Sequence, residues 1–158
     1  MRSVDGHLIF SATDLSNFLG CSHLSLLDRR TALGGPKPPV YDDPALDLLR
    51  RRGELHEQAF LDRLKSDRTK RVIEIVQPDR TLPHHERWAR LTDVTLKAMQ
   101  DGADVIFQAG LFDGTWLGRA DFLVRVEKPG IFGPWSYEVV DTKLAREAKG
   151  GALLQVLL

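Results

Sequence analysis

The stretch of sequence that decides the fold is VIFQAGLFDGTWLGRADFLVRV, residues 105–126. It consists of two runs rich in β-branched and aromatic residues, separated by Asp113-Gly114. Because Asp-Gly readily adopts the positive backbone angles of a tight turn, this stretch predicts a β-hairpin with strands at 105–112 and 115–126. A looser turn at 128–134 then leads into a third predicted strand at 135–143.

Helices are predicted before and after these strands. The longest runs from Pro44 to about Lys65, because its apolar residues recur at steps of three and four. Shorter helices are predicted at about 11–20 and 22–30, another runs from Pro83 to about Asp101, and a short strand lies at 72–76. Ala145 begins a last predicted helix. Strands mixed with helices indicate an α/β fold.

Composition allows one domain and excludes several classes of protein. The chain has 158 residues, is 42% hydrophobic and carries 22 basic and 22 acidic residues, so residues 1–158 are expected to form a single domain without net charge. Its one cysteine cannot form a disulfide within the chain, and no secretory signal or stretch of 18 apolar residues is present. The expectation is a cytoplasmic protein without membrane contact.

Acidic residues in two predicted strands suggest a metal-binding or catalytic site. Alternation along the strand at 135–143 places Asp141 and Lys143 on one face, whereas Glu138 lies on the other. Asp121 belongs to the neighbouring strand, and the connection between these strands can bring it beside Asp141. Two carboxylates that close repel each other unless a cation joins them, and oxygen ligands suit Mg²⁺ or Mn²⁺. The alternative is a solvated pair of charges near a turn, which is common on protein surfaces.

His56 is a further candidate. It lies four residues before Phe60 and seven after Leu49, so we expect it to project from the apolar face of the long helix toward the core. A histidine there is either a hydrogen-bonded core residue or, if the helix packs on the sheet that carries the acids, a metal ligand.

Four motifs in order resemble a known group of enzymes. They are Gly53-Glu54-Leu55-His56, Gly118-Arg119-Ala120-Asp121-Phe122-Leu123, Val139-Val140-Asp141-Thr142-Lys143, and Gln155. Their order and spacing resemble the RecB-like branch of the PD-(D/E)xK nuclease superfamily, some members of which are joined to a helicase. The resemblance covers nearly the whole chain.

The resemblance implies a restriction-endonuclease-like mixed β-sheet flanked by helices, Mg²⁺ or Mn²⁺ as cofactor, DNA as substrate and a role such as DNA repair. It casts His56, Asp121 and Asp141 as metal ligands, Lys143 as the catalytic lysine and Gln155 as a supporting catalytic residue. In that group a tyrosine commonly follows the glutamine by four residues, which would be position 159. We therefore expect a fold truncated at its C-terminus, with little activity on its own.

Some relatives of this group hold an iron-sulfur cluster through one N-terminal cysteine and three later ones. Cys21 is placed to be the first ligand, provided that cysteines follow residue 158. The more common role of such a residue is a small buried apolar side chain. The sequence thus predicts a metal-dependent DNA nuclease, and the alternative is a catalytically inactive nucleic-acid-binding module of the same fold.

Overall fold

The described residues of the chain are 1–79 and 81–142, taken from a computed structural model. Lys143, Gln155 and the helix predicted from Ala145 lie outside them. In chain order the elements are β1 Arg2–Val4, β2 His7–Ile9, α1 Ala12–Gly20, α2 Ser22–Ala32, α3 Pro44–Ser66, β3 Val72–Glu74, α4 His84–Gln100, β4 Val105–Phe112, β5 Leu117–Val126 and β6 Ser136–Val140. The predicted helices and strands in this part of the chain are confirmed, with shifts of a few residues at their ends.

Contacts between residues divide the chain into two compact units. Among the described residues, unit 1 comprises Met1–Asp42 and Phe112–Gly118, whereas unit 2 comprises Asp43–Leu111 and the described part of Arg119–Arg146. The prediction that residues 1–158 form a single domain stays a prediction.

Unit 2 is built on a mixed sheet of four strands in the order β3-β4-β5-β6. Strands β3 and β4 run parallel with Val72 opposite Val105, whereas β5 and β6 run antiparallel with Phe122 opposite Val140. A helix that follows β3 makes the parallel pairing possible, because parallel neighbours need a long crossover between them. The predicted α/β class is therefore confirmed.

Helices cover both faces of this sheet. On one face α4 contributes Leu91 and Ala98 to a cluster that includes Ile106 of β4. On the other face α3 contributes Leu61 to a cluster with Val105 and Phe122. Since side chains alternate along a strand, neighbouring residues such as 105 and 106 enter opposite cores. Among the described residues, no helix is long and apolar enough to cross a membrane.

Close approach of α4 to β4 depends on Gly110. A Cβ at this position would lie 2.9 Å from Leu91 Cβ, which is closer than side chains tolerate. The Gly110 N–H donates a hydrogen bond of 3.1 Å to Oγ1 of the fully buried Thr95. The glycine thus lets the helix sit against the strand and keeps a buried donor paired.

Unit 1 begins with a hairpin that we did not predict. Strands β1 and β2 are joined by Asp5-Gly6, whose φ angles of 49° and 81° are both positive. Helix α1, which was predicted, follows and begins with a capping box, in which Ser11 and Asp14 bond reciprocally to the start of the helix. Asp5-Gly6 is the same signal as Asp113-Gly114, but strands of three residues are too short to show an alternating pattern.

Candidate functional site

The candidate site lies where β5 and β6 meet. Phe122 pairs with Val140, so Asp121 and Asp141 stand one position further along the two strands and face each other. Their side chains are hydrogen-bonded, and the Thr142 N–H donates to Oδ2 of Asp121 at 3.3 Å. The predicted proximity of Asp121 and Asp141 is therefore present, although their roles as ligands stay predictions.

A third carboxylate comes from α3. Glu57 is half-buried, and its negative charge acts on Asp121. The side-chain amide of Gln108 in β4 donates a hydrogen bond to Glu57 Oε1. Glu57, Asp121 and Asp141, which we call the carboxylate site, thus come from three parts of the chain separated by up to 84 positions in sequence.

Crowding of these acids changes the chemistry of Asp121. Burial, the hydrogen bond with Asp141 and the negative charge of Glu57 raise the pKa of Asp121 to about 7, and the Thr142 N–H only partly opposes them. At neutral pH this carboxyl therefore binds a proton much more readily than an ordinary aspartate does. A cation between the carboxylates would replace the proton, because it favours the ionised forms.

The orientation that we predicted for His56 is wrong. His56 is exposed, as are Leu49 and Leu55, which are 57% and 71% accessible. The face of α3 that meets the sheet runs instead through Glu57, Phe60, Leu61 and Leu64. The leucines in the first half of the helix, which suggested a different inner face, are exposed. A ligand role for His56 is therefore less favoured than one for Glu57, its neighbour.

Glu57 and Gln108 were both missed by reasoning from the sequence. Glu57 lies four residues before Leu61 and seven before Leu64, which is the spacing of one helical face. An acid on a buried face is unusual, so this spacing was the available signal. Gln108 gave none, because ordinary alternation would have turned it away from α3.

Other predicted site residues fall in several places. Lys143 and Gln155 lie outside the described residues, so their roles stay predictions. The strand predicted to reach Lys143 ends at Val140, and alternation therefore does not fix which face Asp141 and Lys143 occupy. Cys21 is exposed between α1 and α2, so its interpretation as a buried apolar residue is wrong, whereas its role as a cluster ligand stays untested.

The carboxylates of the site fit a divalent cation that keeps most of its ligands as water. Among residues 1–79 and 81–142, no three His, Cys, Asp or Glu side chains are arranged to hold one ion together. Mg²⁺ nevertheless commonly uses only one or two carboxylates and completes its shell with water and substrate phosphates. Asp121 and Asp141 fit that pattern. Thr142 follows Asp141, and its buried Oγ1 has no hydrogen-bond partner within the described part of the chain.

Comparison with known proteins adds no family to this geometry. No model of a protein family, no curated protein and no solved structure matches the chain. The functional interpretation therefore depends on the carboxylate site and on the sequence motifs.

Proposed function

We propose that the chain is a metal-dependent nuclease of the RecB-like type, with a restriction-endonuclease-like fold, which hydrolyses phosphodiester bonds in DNA. One observation carries the proposal, namely the convergence of Glu57 of α3, Asp121 of β5 and Asp141, the residue that follows β6. Such a gathering of acids is costly for a fold unless a ligand compensates it, and so it is expected where a cation binds.

Asp121 and Asp141 would each offer an oxygen to Mg²⁺ or Mn²⁺, and the Thr142 N–H would keep Asp121 in place. The bound ion would polarise the scissile phosphate and lower the pKa of the attacking water. Glu57 would add negative charge on the side of α3. Lys143, as the resemblance implies, would offset the charge that develops on the phosphate.

DNA as the substrate is supported by exposed basic residues on the chain. Arg51 and Arg52 of α3 are exposed, as is Arg119, two residues before Asp121. Arg50 pairs with Asp47 at 2.9 Å, and Arg125 is used within the fold, so neither is offered for phosphate contact. A cytoplasmic role in DNA repair, with a helicase as partner, is proposed from the resemblance alone.

One observation favours the alternative, a nucleic-acid-binding module without turnover. It is the lack, among the described residues, of three donors arranged around one ion. Both hypotheses predict DNA binding, and they differ in whether metal leads to cleavage.

The deciding experiment incubates the protein with linear double-stranded and single-stranded DNA in Mn²⁺ or in EDTA. Asp141→Asn serves as the matched control, because it removes one charge and almost no volume. Cleavage that needs Mn²⁺ and disappears in Asp141→Asn, while DNA binding is kept, supports the nuclease. Equal, metal-independent behaviour of both chains would leave the binding module as the better description.

A further inference from the structure

Strand β4 contains an unusual backbone conformation at Gln108. Its φ is 57°, the left-handed region, although the residue is neither glycine nor at a turn. Such a conformation is unfavourable for a residue with a Cβ, and it persists only where the surroundings impose it. The position therefore needs an explanation beyond strand formation.

The packing of β4 shows what this conformation does. Val105 and Phe107 pack in the core beneath α3, whereas Ile106 and Ala109 pack in the core beneath α4. Ile106 and Ala109 are three positions apart, and a regular strand would place them on opposite faces. One additional residue between them, as in a β-bulge, restores the observed pattern. The bulge includes Gln108 and turns its side chain toward α3.

The contact made by that side chain is with the carboxylate site. Gln108 Nε2 donates to Glu57 Oε1, and Glu57 in turn acts on Asp121. An amide suits this task because it is neutral. A lysine or arginine would fix Glu57 equally well, but it would cancel the negative charge that a cation requires.

We propose that Gln108 is a positioning residue, which the bulge in β4 turns toward α3 so that its amide holds the Glu57 carboxylate beside Asp121 and Asp141. This inference rests on the proposed function, since it gives Glu57 a part in binding the divalent cation. The left-handed backbone is then the cost of turning toward α3 a side chain that regular alternation along β4 would point toward α4.

The variant Gln108→Gly separates the effect of the Gln108 side chain from the effect of its backbone conformation. Glycine adopts a φ of 57° without strain, so the variant keeps the bulge but loses the amide. We expect an unchanged or higher melting temperature, together with an affinity for Mn²⁺ about 10-fold lower by isothermal titration calorimetry, which is typical of a lost residue that orients a metal ligand. An unchanged Mn²⁺ affinity in the folded variant would overturn the proposal.

A second substitution tests whether Gln108 acts through Glu57. In a chain that already carries Glu57→Gln, Gln108→Gly should lower Mn²⁺ affinity no further, because the group that it orients is gone. The same 10-fold loss in both backgrounds would show that Gln108 works by another route. If Gln108→Gly does not fold, Gln108→Asn takes its place, since asparagine tolerates this backbone region and its shorter side chain does not reach equally far.

Asp121→Asn separates a failure of this inference from a failure of the proposed function. If Asp121→Asn binds Mn²⁺ as tightly as the unaltered chain, the carboxylate site is not a cation site and both proposals fail. If Asp121→Asn loses affinity while Gln108→Gly does not, only the positioning role of Gln108 is overturned.

Discussion

At the C-terminal end of α4, four side chains donate hydrogen bonds to backbone carbonyls, whereas at the carboxylate site three acids of the same unit lie close together. The α4 donors are Tyr137 to Ala103 O at 2.7 Å, Arg71 to Asp101 O at 2.9 Å, Trp135 to Met99 O at 3.1 Å and Arg125 to Gly102 O at 3.2 Å. We call these four side chains the α4 cage. Both clusters are polar, but the cage joins donors to acceptors throughout, whereas the carboxylate site brings like charges together.

The cage binds backbone carbonyls at and just after the end of α4. Met99 O belongs to the last turn of the helix, whereas the carbonyls of residues 101–103 follow it. Carbonyls near a helix C-terminus carry partial negative charge, which attracts Arg71 and Arg125. The Arg125 guanidinium also lies 4.9 Å from the ring of Trp135. Burial raises the pKa of Tyr137, so its hydroxyl remains a donor at neutral pH. Each interaction stabilises the fold without a ligand.

The carboxylate site, in contrast, destabilises the fold when no ligand is bound. Burial and neighbouring acids raise the pKa of Asp121, which means that its ionised form destabilises the fold. The difference teaches that polar groups alone do not indicate function. A cluster that is complete within the chain is expected to serve stability, and a cluster that accumulates like charge is expected to serve binding. Four predictions test this comparison.

The largest effect is expected from Asp121→Asn. Cleavage of DNA in Mn²⁺ should fall on the order of 1,000-fold, because a bound metal contributes several kcal/mol to the transition state and each 1.4 kcal/mol is a factor of 10. Urea unfolding in EDTA at pH 8 should at the same time show a chain at least as stable as the original. Reduced stability in Asp121→Asn would mean that the carboxylate site, like the cage, serves to stabilise the fold.

A smaller effect is expected from pH. The folded chain keeps a proton on Asp121 up to about pH 7, whereas the unfolded chain releases it near the ordinary value of 3.8. The folded state therefore binds more protons between these values, and the free energy of unfolding falls as pH rises through this window. After allowance for partial exposure, we expect a loss of about 1–2 kcal/mol attributable to Asp121.

The measurement is urea unfolding of the original chain and Asp121→Asn at pH 5 and pH 8, both in EDTA. The difference between the two chains isolates the contribution of Asp121 from that of every other titratable group. Asp121→Asn should gain stability relative to the original chain as pH rises, and Mn²⁺ should remove this gain by stabilising the original. A difference that does not change with pH would contradict the raised pKa.

The two clusters were not equally predictable from sequence. Asp121 and Asp141 were found because the strand patterns and the turn at 128–134 predict two neighbouring strands, and antiparallel pairing of these strands brings the two acids together. Glu57 was missed because helix phase was read from leucines that the fold leaves exposed. Gln108 was missed because a bulge changes the face of the sheet on which a residue lies. The residue types in β4 do not predict this bulge.

The cage shows another limit of sequence reasoning. Its four donors come from the start of β3, the end of β5 and the beginning of β6, and they meet only because the strands bring them to the end of α4. Arg125 could have been taken for a phosphate-binding residue from sequence, yet it bonds to Gly102 O and Glu127. The use of an arginine is decided by its tertiary neighbours.

Tyr137→Phe should have a moderate effect on stability and none on chemistry. It removes the hydroxyl that donates to Ala103 O and keeps the ring, which packs in the core between α4 and the sheet. We expect the free energy of unfolding to fall by about 1 kcal/mol, the usual contribution of one such hydrogen bond. Mn²⁺-dependent cleavage at 25 °C should be unchanged. A lower cleavage rate in a chain that is still folded would mean that the cage and the carboxylate site are linked.

The smallest effect is expected at Glu138, an acid on β6 three residues before Asp141. Its carboxylate pairs with Lys128 Nζ at 2.7 Å on the surface, and the hydrogen bond with Glu138 raises the pKa of that lysine. Ion pairs between exposed side chains contribute little, because water screens them and two long side chains lose freedom. Glu138→Gln should therefore shift neither the melting temperature nor Mn²⁺ affinity by a measurable amount. It also removes one negative charge only three residues from the position of Asp141→Asn, so it is the matched control for charge. If Glu138→Gln weakened Mn²⁺ binding as Asp141→Asn is expected to, then general negative charge rather than the carboxylate site would attract the cation.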